Sequence, residues 1–338
     1  MIPAASKVGI EVELMAPSDS SRLSLAQVMA TACSGQVQVF FFPQAEAAKS
    51  ASGEAFQNLT QGFRVTDGAG RKVAELVDDL TLQLDCDKQH LPQPGWYRIV
   101  SNDARLLNLV QQHCDPAAAP GVLLEPIAKL FGTRPTEQGG MIRVADIDDS
   151  PVVMLAPLPG ERHRPCELIS APIDGQFEST IAGLLVPAHS LGFTLAAEAA
   201  THLHFDGALL RSSRVIARLI QFFNHFEEAL RARVLTNPLN RRLASLPSSL
   251  VAMAGEASFQ DAAWDQARQR MLDAGVSKYA DVNFLNLARD DRRKPTLEVR
   301  MIGPSMSPRW LTQQMEFFAE VLSWSLGTQP MPLQLESI

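Results

Sequence analysis

The sequence predicts an α+β protein in which helices pack on one face of an antiparallel β-sheet, with an elaborated N-terminal half. Strand patterns in the first half are short and separated by turns, which favours antiparallel pairing. In the second half, strands alternate with amphipathic helices whose apolar faces can cover a sheet. The 338 residues are 46% hydrophobic and 20% charged, as is typical of a globular chain with a sizeable core.

In the first half, apolar residues recur at helical spacing over residues 23–32 and 104–113. Runs of β-branched and aromatic residues between turn signals predict short strands, of which the 37–42 strand is expected to be buried. Residues 45–52 are interpreted as a loop or short helix, and residues 115–164 as an insertion with long loops. The strands of this half are predicted over 9–14, 37–42, 63–66, 80–84, 96–101, 141–144 and 152–155.

The second half has clearer boundaries. Pro172 follows a short strand, Gly192 ends the next helix, and Asn237-Pro238 stops a long amphipathic helix. The strands of this half are predicted over 166–170, 201–206, 282–287 and 296–302. The helices are predicted over 177–191, 208–234, 260–273 and 308–326.

The charge of the chain bears on its partners. A formal net charge of −7 and a pI near 5.5 argue against a nucleic-acid or anionic membrane partner, which would favour a basic patch. Basic runs at 231–242 and 289–294 are typical of solvated surfaces. The four cysteines lack the spacing of a zinc or redox site. The N-terminus has no apolar signal segment and Pro187 interrupts the most apolar stretch, so we expect a cytoplasmic protein without a membrane span.

Three segments carry polar side chains at every second position. Successive side chains of a strand point to opposite faces, so each segment presents its polar residues on one face. If the three strands belong to one sheet, that face is strongly acidic and needs protons or a cation such as Mg²⁺. A solvated face of an antiparallel sheet shows the same alternation, so both interpretations stay open. The residues are Glu11, Glu13, His202, His204, Asp206, Glu298 and Arg300.

These segments, in their order along the chain, resemble the amidoligase family. That family belongs to the carboxylate-amine ligases with a glutamine synthetase-like fold, alongside the glutamate-cysteine ligases. The resemblance covers the first strand and most of residues 166–325, and we recognise no motif in residues 35–160. The motifs are Gly9-x-Glu11-x-Glu13, Glu167 to Pro172, His202-x-His204, Val282 to Leu287 and Thr296-x-Glu298-x-Arg300.

The resemblance implies one catalytic domain over residues 1–338 with a glutamine synthetase-like core. Residues 166–326 are the best-matching core, and residues 35–165 are interpreted as a divergent insertion that helps to select the substrate. The implied reaction is ATP- and Mg²⁺-dependent formation of an amide bond through an acyl phosphate. The implied substrates are a carboxylate and an amine, each a small molecule or a peptide.

The resemblance also implies roles for individual residues. Arg300 is expected to bind a phosphate or the substrate carboxylate, because its planar fork suits either. The loop that ends in Arg241 and Arg242 resembles the loop that places an arginine at the phosphates in glutamine synthetase. His202 and His204 are expected near the metal or the ATP phosphates. The implied metal ligands are Glu11, Glu13, Glu167, Glu298 and His202.

The sequence departs from that pattern in two places. Ala199 to Thr201 replace the glycine-rich turn that precedes the paired histidines and approaches the nucleotide in glutamine synthetases, so the resemblance does not imply a nucleotide contact at this turn. No second glutamate follows Glu167 at the usual short distance, and Asp206 is a candidate substitute. The chain also lacks a Gly-x-x-x-x-Gly-Lys phosphate loop, so an ATP site must depend on metal and arginine.

Other functions fit the same residues. His202-x-His204 with Asp206 could bind zinc and activate water in a metal-dependent hydrolase. A phosphotransferase or a non-catalytic binding protein on the same fold are further alternatives. Glu167 could be a structural carboxylate at a strand end, and Asn283 and Asn286 could orient substrate or cap turns. The pattern does not specify the acid, the amine or the oligomeric state.

Overall fold

The structure is a computed structural model that describes residues 7–49, 55–290 and 295–335. Its strands are β1 (Val8–Met15), β2 (Gln36–Pro43), β3 (Ala48–Lys49), β4 (Ala55–Thr66), β5 (Lys72–Val77), β6 (Tyr97–Ser101), β7 (Thr136–Gln138), β8 (Met141–Ala145), β9 (Pro151–Pro157), β10 (Pro165–Ser170), β11 (Thr194–Leu195), β12 (Thr201–Asp206), β13 (Val282–Asn283) and β14 (Thr296–Ile302).

The helices are α1 (Arg22–Ala32), α2 (Ala104–His113), α3 (Pro120–Leu123), α4 (Glu125–Leu130), α5 (Phe177–Ser190), α6 (Ser213–His225), α7 (Glu227–Arg233), α8 (Ser248–Ala254), α9 (Ala257–Gln260), α10 (Trp264–Asp273), α11 (Leu285–Ala288) and α12 (Pro308–Leu326). A 3₁₀ turn at Ala208–Leu210 precedes α6. Among the residues described, no helix combines the length and the apolar character needed to cross a membrane.

The chain divides into two compact units. The first comprises residues 1–13, 170–186 and 197–338, and the second comprises residues 14–169 and 187–196. In the first unit the strand order is β13-β14-β12-β1, and every neighbouring pair is antiparallel. In the second unit the order is β10-β5-β4-β6-β9-β8-β7, and β2 and β3 also pair with β4. The predicted α+β class with antiparallel strands is confirmed.

Each unit has its own apolar core. In the first unit, the residues that alternate with the polar positions of β1, β12 and β14 are at most 1% exposed: Val8, Ile10, Val12, Leu203, Phe205, Leu297, Val299 and Met301. The Phe223 ring of α6 stacks on the Phe318 ring of α12, with 6.1 Å between the ring centroids. In the second unit, β4, β6, β8 and β9 bury a cluster with α2 and α4 that includes Leu59, Ile99, Leu107, Ile127 and Val144.

Three predicted helices begin where a side chain caps them. The hydroxyl groups of Ser21 and Ser307 accept the backbone N–H of Ser24 and Trp310, and the Asp103 carboxylate accepts that of Arg105. Such N-caps satisfy a donor that the first turn leaves unpaired. α1, α2 and α12 accordingly match their predicted ranges to within one residue.

Residues 80–84 form turns instead of the predicted strand. The Asp79 carboxylate accepts the Thr81 N–H at 2.8 Å, and Arg162 donates to the carbonyl of Asp79 at 2.6 Å and to that of Leu82. These side chains bind backbone groups that a neighbouring strand would need. The apolar spacing of this segment therefore does not lead to a β-ladder.

The predicted helix over 208–234 is interrupted twice. Ser212 is extended, with φ −144° and ψ 132°, and Phe226 leaves helical geometry with φ −103° and ψ 16°. Phe226 and Leu230 are nevertheless buried, so the apolar spacing continues across the second break. The predicted strand over 282–287 is also shorter, because the Asn283 side chain accepts the Leu285 N–H at 2.8 Å and α11 begins there.

Other parts of the first half also differ from the prediction. The strand predicted over 37–42 exists as β2, but within it only Phe41 is buried, because β2 pairs with β4 alone among the residues described. β5 was not predicted, and residues 45–52 include the short strand β3 where they are described. Residues 50–52 and the basic residues Arg292, Arg293 and Lys294 lie outside the described ranges.

Gly303 allows a close approach of two segments at the end of β14. Its N–H donates to the Val234 carbonyl at 2.9 Å, and a Cβ at this position would collide with the Leu235 carbonyl. We expect Gly303→Ala to lower the free energy of unfolding by about 1–3 kcal/mol, as overpacking does, in urea denaturation. In the control Gly183→Ala, the exposed helical site has open space, so we expect a gain of about 0.5–1 kcal/mol. Equal urea denaturation midpoints for Gly303→Ala and the wild type would contradict the close approach of Gly303 to the Leu235 carbonyl.

Candidate active site

The polar residues of β1, β12 and β14 lie side by side because these strands are neighbours in the first unit. His204 lies opposite Gly9 of β1 on one side and opposite Glu298 of β14 on the other. Glu298 in turn lies opposite Asn283 of β13. His202 lies opposite Glu11. The register therefore brings Glu11 near the beginning of the chain together with Glu298 near its end.

A bulge in β14 places Arg300. Thr201 of β12 pairs with Ile302 and Leu203 pairs with Val299, so one residue of β12 faces two residues of β14. A bulge bends its strand and redirects side chains. The Arg300 guanidinium binds the Glu298 carboxylate two residues earlier. Arg300 is thus held beside the acidic residues of the neighbouring strands.

The side chains of what we call the polar cluster are buried. The exposed fractions are 5% for Glu11, 0% for Glu13, 2% for His202, 6% for His204 and 4% for Glu298. A solvated sheet face would be exposed, so these values exclude the interpretation of this face as solvated. Buried carboxylates are costly unless opposite charge or hydrogen bonds compensate them.

His204 lies between two carboxylates. Its Nε2 atom is 2.9 Å from Glu11 Oε1 and 3.9 Å from Glu298 Oε1. Its Nδ1 atom lies 3.2 Å from the Thr296 hydroxyl, which orients the ring. Glu298 is oriented in the same way, because the Asn283 amide donates to its Oε2 atom at 2.7 Å.

His202 contacts three carboxylates of the polar cluster. Its Nδ1 atom lies 3.3 Å from Glu11 Oε2 and 3.6 Å from Glu298 Oε1, and its Nε2 atom lies 3.6 Å from Glu13 Oε1. Burial, with a further contribution from Arg300, lowers the pKa of His202 to about 4 although Glu11 and Glu298 oppose the shift. The ring is therefore neutral at pH 7, which is the form that binds metal ions.

Glu298 keeps its negative charge despite burial. Burial by itself would raise the pKa of its carboxyl, but His204, Arg300 and His202 outweigh burial and hold that pKa well below its usual value. An ionised carboxylate beside neutral imidazole is a suitable set of ligands for a divalent cation.

A loop over residues 237–242, here called the arginine loop, brings Arg242 to the cluster. The Asn237 amide donates to the carbonyls of Ala197 and Ala199 at 2.9 Å each, and the Asn240 side chain accepts the Arg242 N–H at 3.0 Å. Arg242 Nη2 then lies 3.0 and 3.1 Å from the two Glu13 oxygens. Glu13 Oε2 also accepts the backbone N–H of Ala200 at 2.8 Å.

The geometry of the polar cluster fits a cation. Glu11, His204 and Glu298 each offer a ligand atom within 4.8 Å of the other two. Ligand atoms about 2.1 Å from one Mg²⁺ ion lie about 3 Å apart when adjacent and about 4.2 Å apart when opposite, close to the His204 distances. The Nε2 atoms of His202 and His204 are buried and lie near carboxylate oxygens, but they do not meet hydrogen-bond geometry with any described residue. Buried polar atoms without a hydrogen bond are expected where an ion or a ligand binds.

Two of the predicted residues lie apart from these contacts, and a third belongs to the other unit. Arg241 is exposed, and only its neighbour Arg242 is described in contact with Glu13. Asp206 is exposed and its carboxylate accepts the Ala208 N–H at 2.9 Å. Glu167 lies half-buried on β10 and belongs to the second unit.

Thr296 is a site residue to which the sequence analysis gave no role. It begins β14 and orients His204 through Nδ1. Thr296, Glu298 and Arg300 stand at every second position, so the alternation that revealed the last two also places Thr296 on their face.

The two arginines of the loop provide a matched test of its geometry. We expect Arg242→Gln to lower the free energy of unfolding by about 2–4 kcal/mol, because it removes the cation that contacts both oxygens of a fully buried carboxylate. Arg241→Gln, at an exposed position, should change it by less than about 0.5 kcal/mol. Urea denaturation measures both. Equal losses in the two variants would contradict a specific Arg242–Glu13 contact.

A comparison with known protein families gives an independent result. The family model described as "putative amidoligase enzyme" matches residues 4–322, which includes residues 35–165 as well as all the motifs above. No curated protein and no solved structure matches the chain. The match spans nearly the whole chain and supports a ligase-type enzyme. The protein belongs to the amidoligase family.

Proposed function

We propose that the protein is an ATP- and Mg²⁺-dependent carboxylate-amine ligase that forms an amide bond through an acyl phosphate. One observation carries the proposal: a buried set of two glutamates and a histidine suits a divalent cation and lies beside two arginines, in a chain of the amidoligase family. We further propose that β13, β14, β12 and β1 belong to a glutamine synthetase-like core.

The Mg²⁺ ion would be held by Glu11, His204 and Glu298, with Glu13 and His202 beside them. Glu167 remains a proposed ligand as well. Bound Mg²⁺ supplies positive charge that neutralises phosphate oxygens of ATP and stabilises the charge of the transferring phosphoryl group. Asn283 and Thr296 keep Glu298 and His204 in place, as the hydrogen-bond partners of metal ligands do.

Arg300 and Arg242 would bind the anionic groups of the substrates. Each guanidinium already contacts a carboxylate, and a phosphate or substrate carboxylate offers the same kind of oxygen pair. Arg300 Nε is buried and makes no hydrogen bond with the residues that the structure describes, so it retains a donor. Arginines aimed at developing negative charge lower the barrier to phosphoryl transfer.

The proposed reaction has two steps. An oxygen of the substrate carboxylate attacks the γ-phosphorus of ATP, the bond to the bridging oxygen breaks, and ADP leaves. The amine nitrogen then attacks the acyl carbon, inorganic phosphate leaves, and the nitrogen loses one proton. One carboxylate oxygen thereby ends in the phosphate.

The hydrolase alternative depends on Asp206 as a ligand next to the two histidines. Asp206 lies opposite Thr296 at the end of β12, is exposed, and is bound to the Ala208 N–H. The described carboxylate neighbours of His204 are Glu11 and Glu298 instead. A phosphotransferase would use the same residues as the ligase and differ in its product.

Calorimetric titration with adenylyl imidodiphosphate, a non-hydrolysable ATP analogue, tests the nucleotide site. We expect the wild type to bind the analogue only with Mg²⁺, and Glu298→Gln to lose that binding because it removes a charged ligand. Arg300→Lys should weaken binding at least about tenfold, since lysine cannot form the bidentate contact. Glu316→Gln, on the exposed side of α12, is the control and should bind like the wild type.

Two results would contradict this assignment. Unchanged Mg²⁺-dependent binding in Glu298→Gln would remove Glu298 from the site. Stoichiometric zinc in the purified protein, with no nucleotide binding, would favour the hydrolase, whereas absence of both signals would favour a non-catalytic protein.

The acyl phosphate can be tested with labelled substrate. Candidate acids carrying ¹⁸O in the carboxylate are incubated with amine, ATP and Mg²⁺, and the phosphate is analysed by mass spectrometry. We expect one ¹⁸O atom per phosphate released and ADP in equal amount. The proposed route would be contradicted if all the label stayed in the amide or if AMP were the product. A phosphorylated acid or amine as the end product would indicate a phosphotransferase.

A further inference from the structure

Asp281 lies in the same row of the first unit as Arg300. β13 pairs with β14 through Val282 opposite Val299 and Asn283 opposite Glu298, so the next position of this register places Asp281 opposite Arg300. The Arg300 N–H donates to the Asp281 carbonyl at 2.8 Å, which extends the ladder by one residue. The bulge that places Arg300 is therefore held from the β13 side by Asp281.

The same short segment also holds the end of the arginine loop. The Asp281 N–H donates to the Ala244 carbonyl at 2.9 Å, and the Ala244 N–H donates to the Tyr279 carbonyl at 2.9 Å. Ala244 follows Arg242 by two residues and forms a parallel bridge with Ala280. Residues 279–281 thus connect the chain beside Arg242 with the chain at Arg300.

The Asp281 side chain is fixed by α7. Asp281 is 4% exposed, and its Oδ2 atom accepts Arg231 Nε at 2.8 Å. Arg231 also lies 3.3 Å from Glu227 Oε1, which accepts the Ser245 hydroxyl at 2.5 Å. This network joins α7 to the residue that follows Ala244, so backbone and side-chain contacts hold the same junction.

The ion pair is poorly explained by stability alone. Asp281 Oδ1 is buried and has no hydrogen-bond partner among the described residues. The Arg231 side chain is 35% exposed, and an ion pair between a partly exposed guanidinium and a buried carboxylate with an unsatisfied oxygen contributes little to stability. Such pairs can instead select one geometry of the segments that they join.

We propose that Asp281 and Arg231 form a positioning pair that holds Arg242 and Arg300 together in the arrangement required to bind the phosphates of ATP. Neither residue is assigned a contact with substrate. The role at the phosphates rests on the proposed function, whereas the coupling of the two arginine segments does not.

A double-mutant cycle with two readouts tests the pair: Asp281→Asn, Arg231→Gln and the double variant, with Asp290→Asn as control. Asp290 forms an Arg211 ion pair at 2.9 Å in the same unit, away from these contacts. In Asp281→Asn, the backbone amides of residues 239–244 and of residues 299–301 should exchange faster than in the wild type. The double variant should show the same exchange rates as each single variant. Asp290→Asn should leave both segments unchanged.

The second readout separates positioning from general loss of structure. We expect Asp281→Asn to weaken binding of the Mg²⁺–adenylyl imidodiphosphate complex about tenfold, the scale of coupling between contacting residues. Affinity for Mn²⁺ alone, measured by electron paramagnetic resonance, should change less than about twofold. Equal weakening of both ligands would indicate a merely structural pair and overturn the proposal.

Different results would overturn the positioning pair and the ligase function. Faster exchange in only one of the two segments, or additive effects in the double variant, overturns the positioning pair even if nucleotide binds. If Asp281→Asn speeds exchange in both segments but the wild type binds no nucleotide, the pair is supported as a link between the two arginines and the ligase function is overturned.

Discussion

The structure of the first unit depends on compensation of buried negative charge. Glu11, Glu13 and Glu298 are almost completely inaccessible to water, and a carboxylate removed from water without compensation is unfavourable by several kcal/mol. Arg242 compensates Glu13, which also accepts the Ala200 N–H, and Arg300 compensates Glu298, which also accepts the Asn283 amide. Glu11 lies instead beside the imidazoles of His202 and His204, and the two carboxylates and the imidazole of Glu11, Glu298 and His204 are the kind of ligands that a divalent cation takes.

Strand geometry makes this concentration of charge possible. Because side chains alternate along a strand, β1, β12 and β14 bury Ile10, Leu203 and Val299 behind the polar cluster with no side chain shared between the two faces. The bulge in β14 adds one residue at the level of His202. A regular strand would have placed Arg300 directly opposite His202, whereas the extra residue lets the guanidinium turn back to Glu298.

Period-two alternation is a local signal, so the sequence was sufficient to predict which residues of β1, β12 and β14 share a face. It also predicted α2 and α12, whose capping residues lie next to them in the chain. Two of the failures have non-local causes. Arg162 prevents a strand at residues 80–84 from a distance of about 80 residues in the chain, and nothing in that segment records it. The contact between Arg242 and Glu13 joins residues 229 positions apart, so spacing could not distinguish Arg242 from Arg241.

Asp281 illustrates a signal that was present but incomplete. Asp281-Val282-Asn283 has the same polar–apolar–polar alternation as β1, β12 and β14, but Asp281 lies one residue before the strand predicted over 282–287 and one residue before β13. Asp281 forms backbone hydrogen bonds with Ala244, near Arg242, and with Arg300 itself. Without these bonds, a loop alone would position Arg242 and a bulge alone would position Arg300. Anion binding by two arginines requires both at once, since a guanidinium misplaced by about 1 Å loses much of its value to the reacting group. Two arginines on an irregular loop and a bulged strand therefore need a common point of attachment, and residues 279–281 contact both segments.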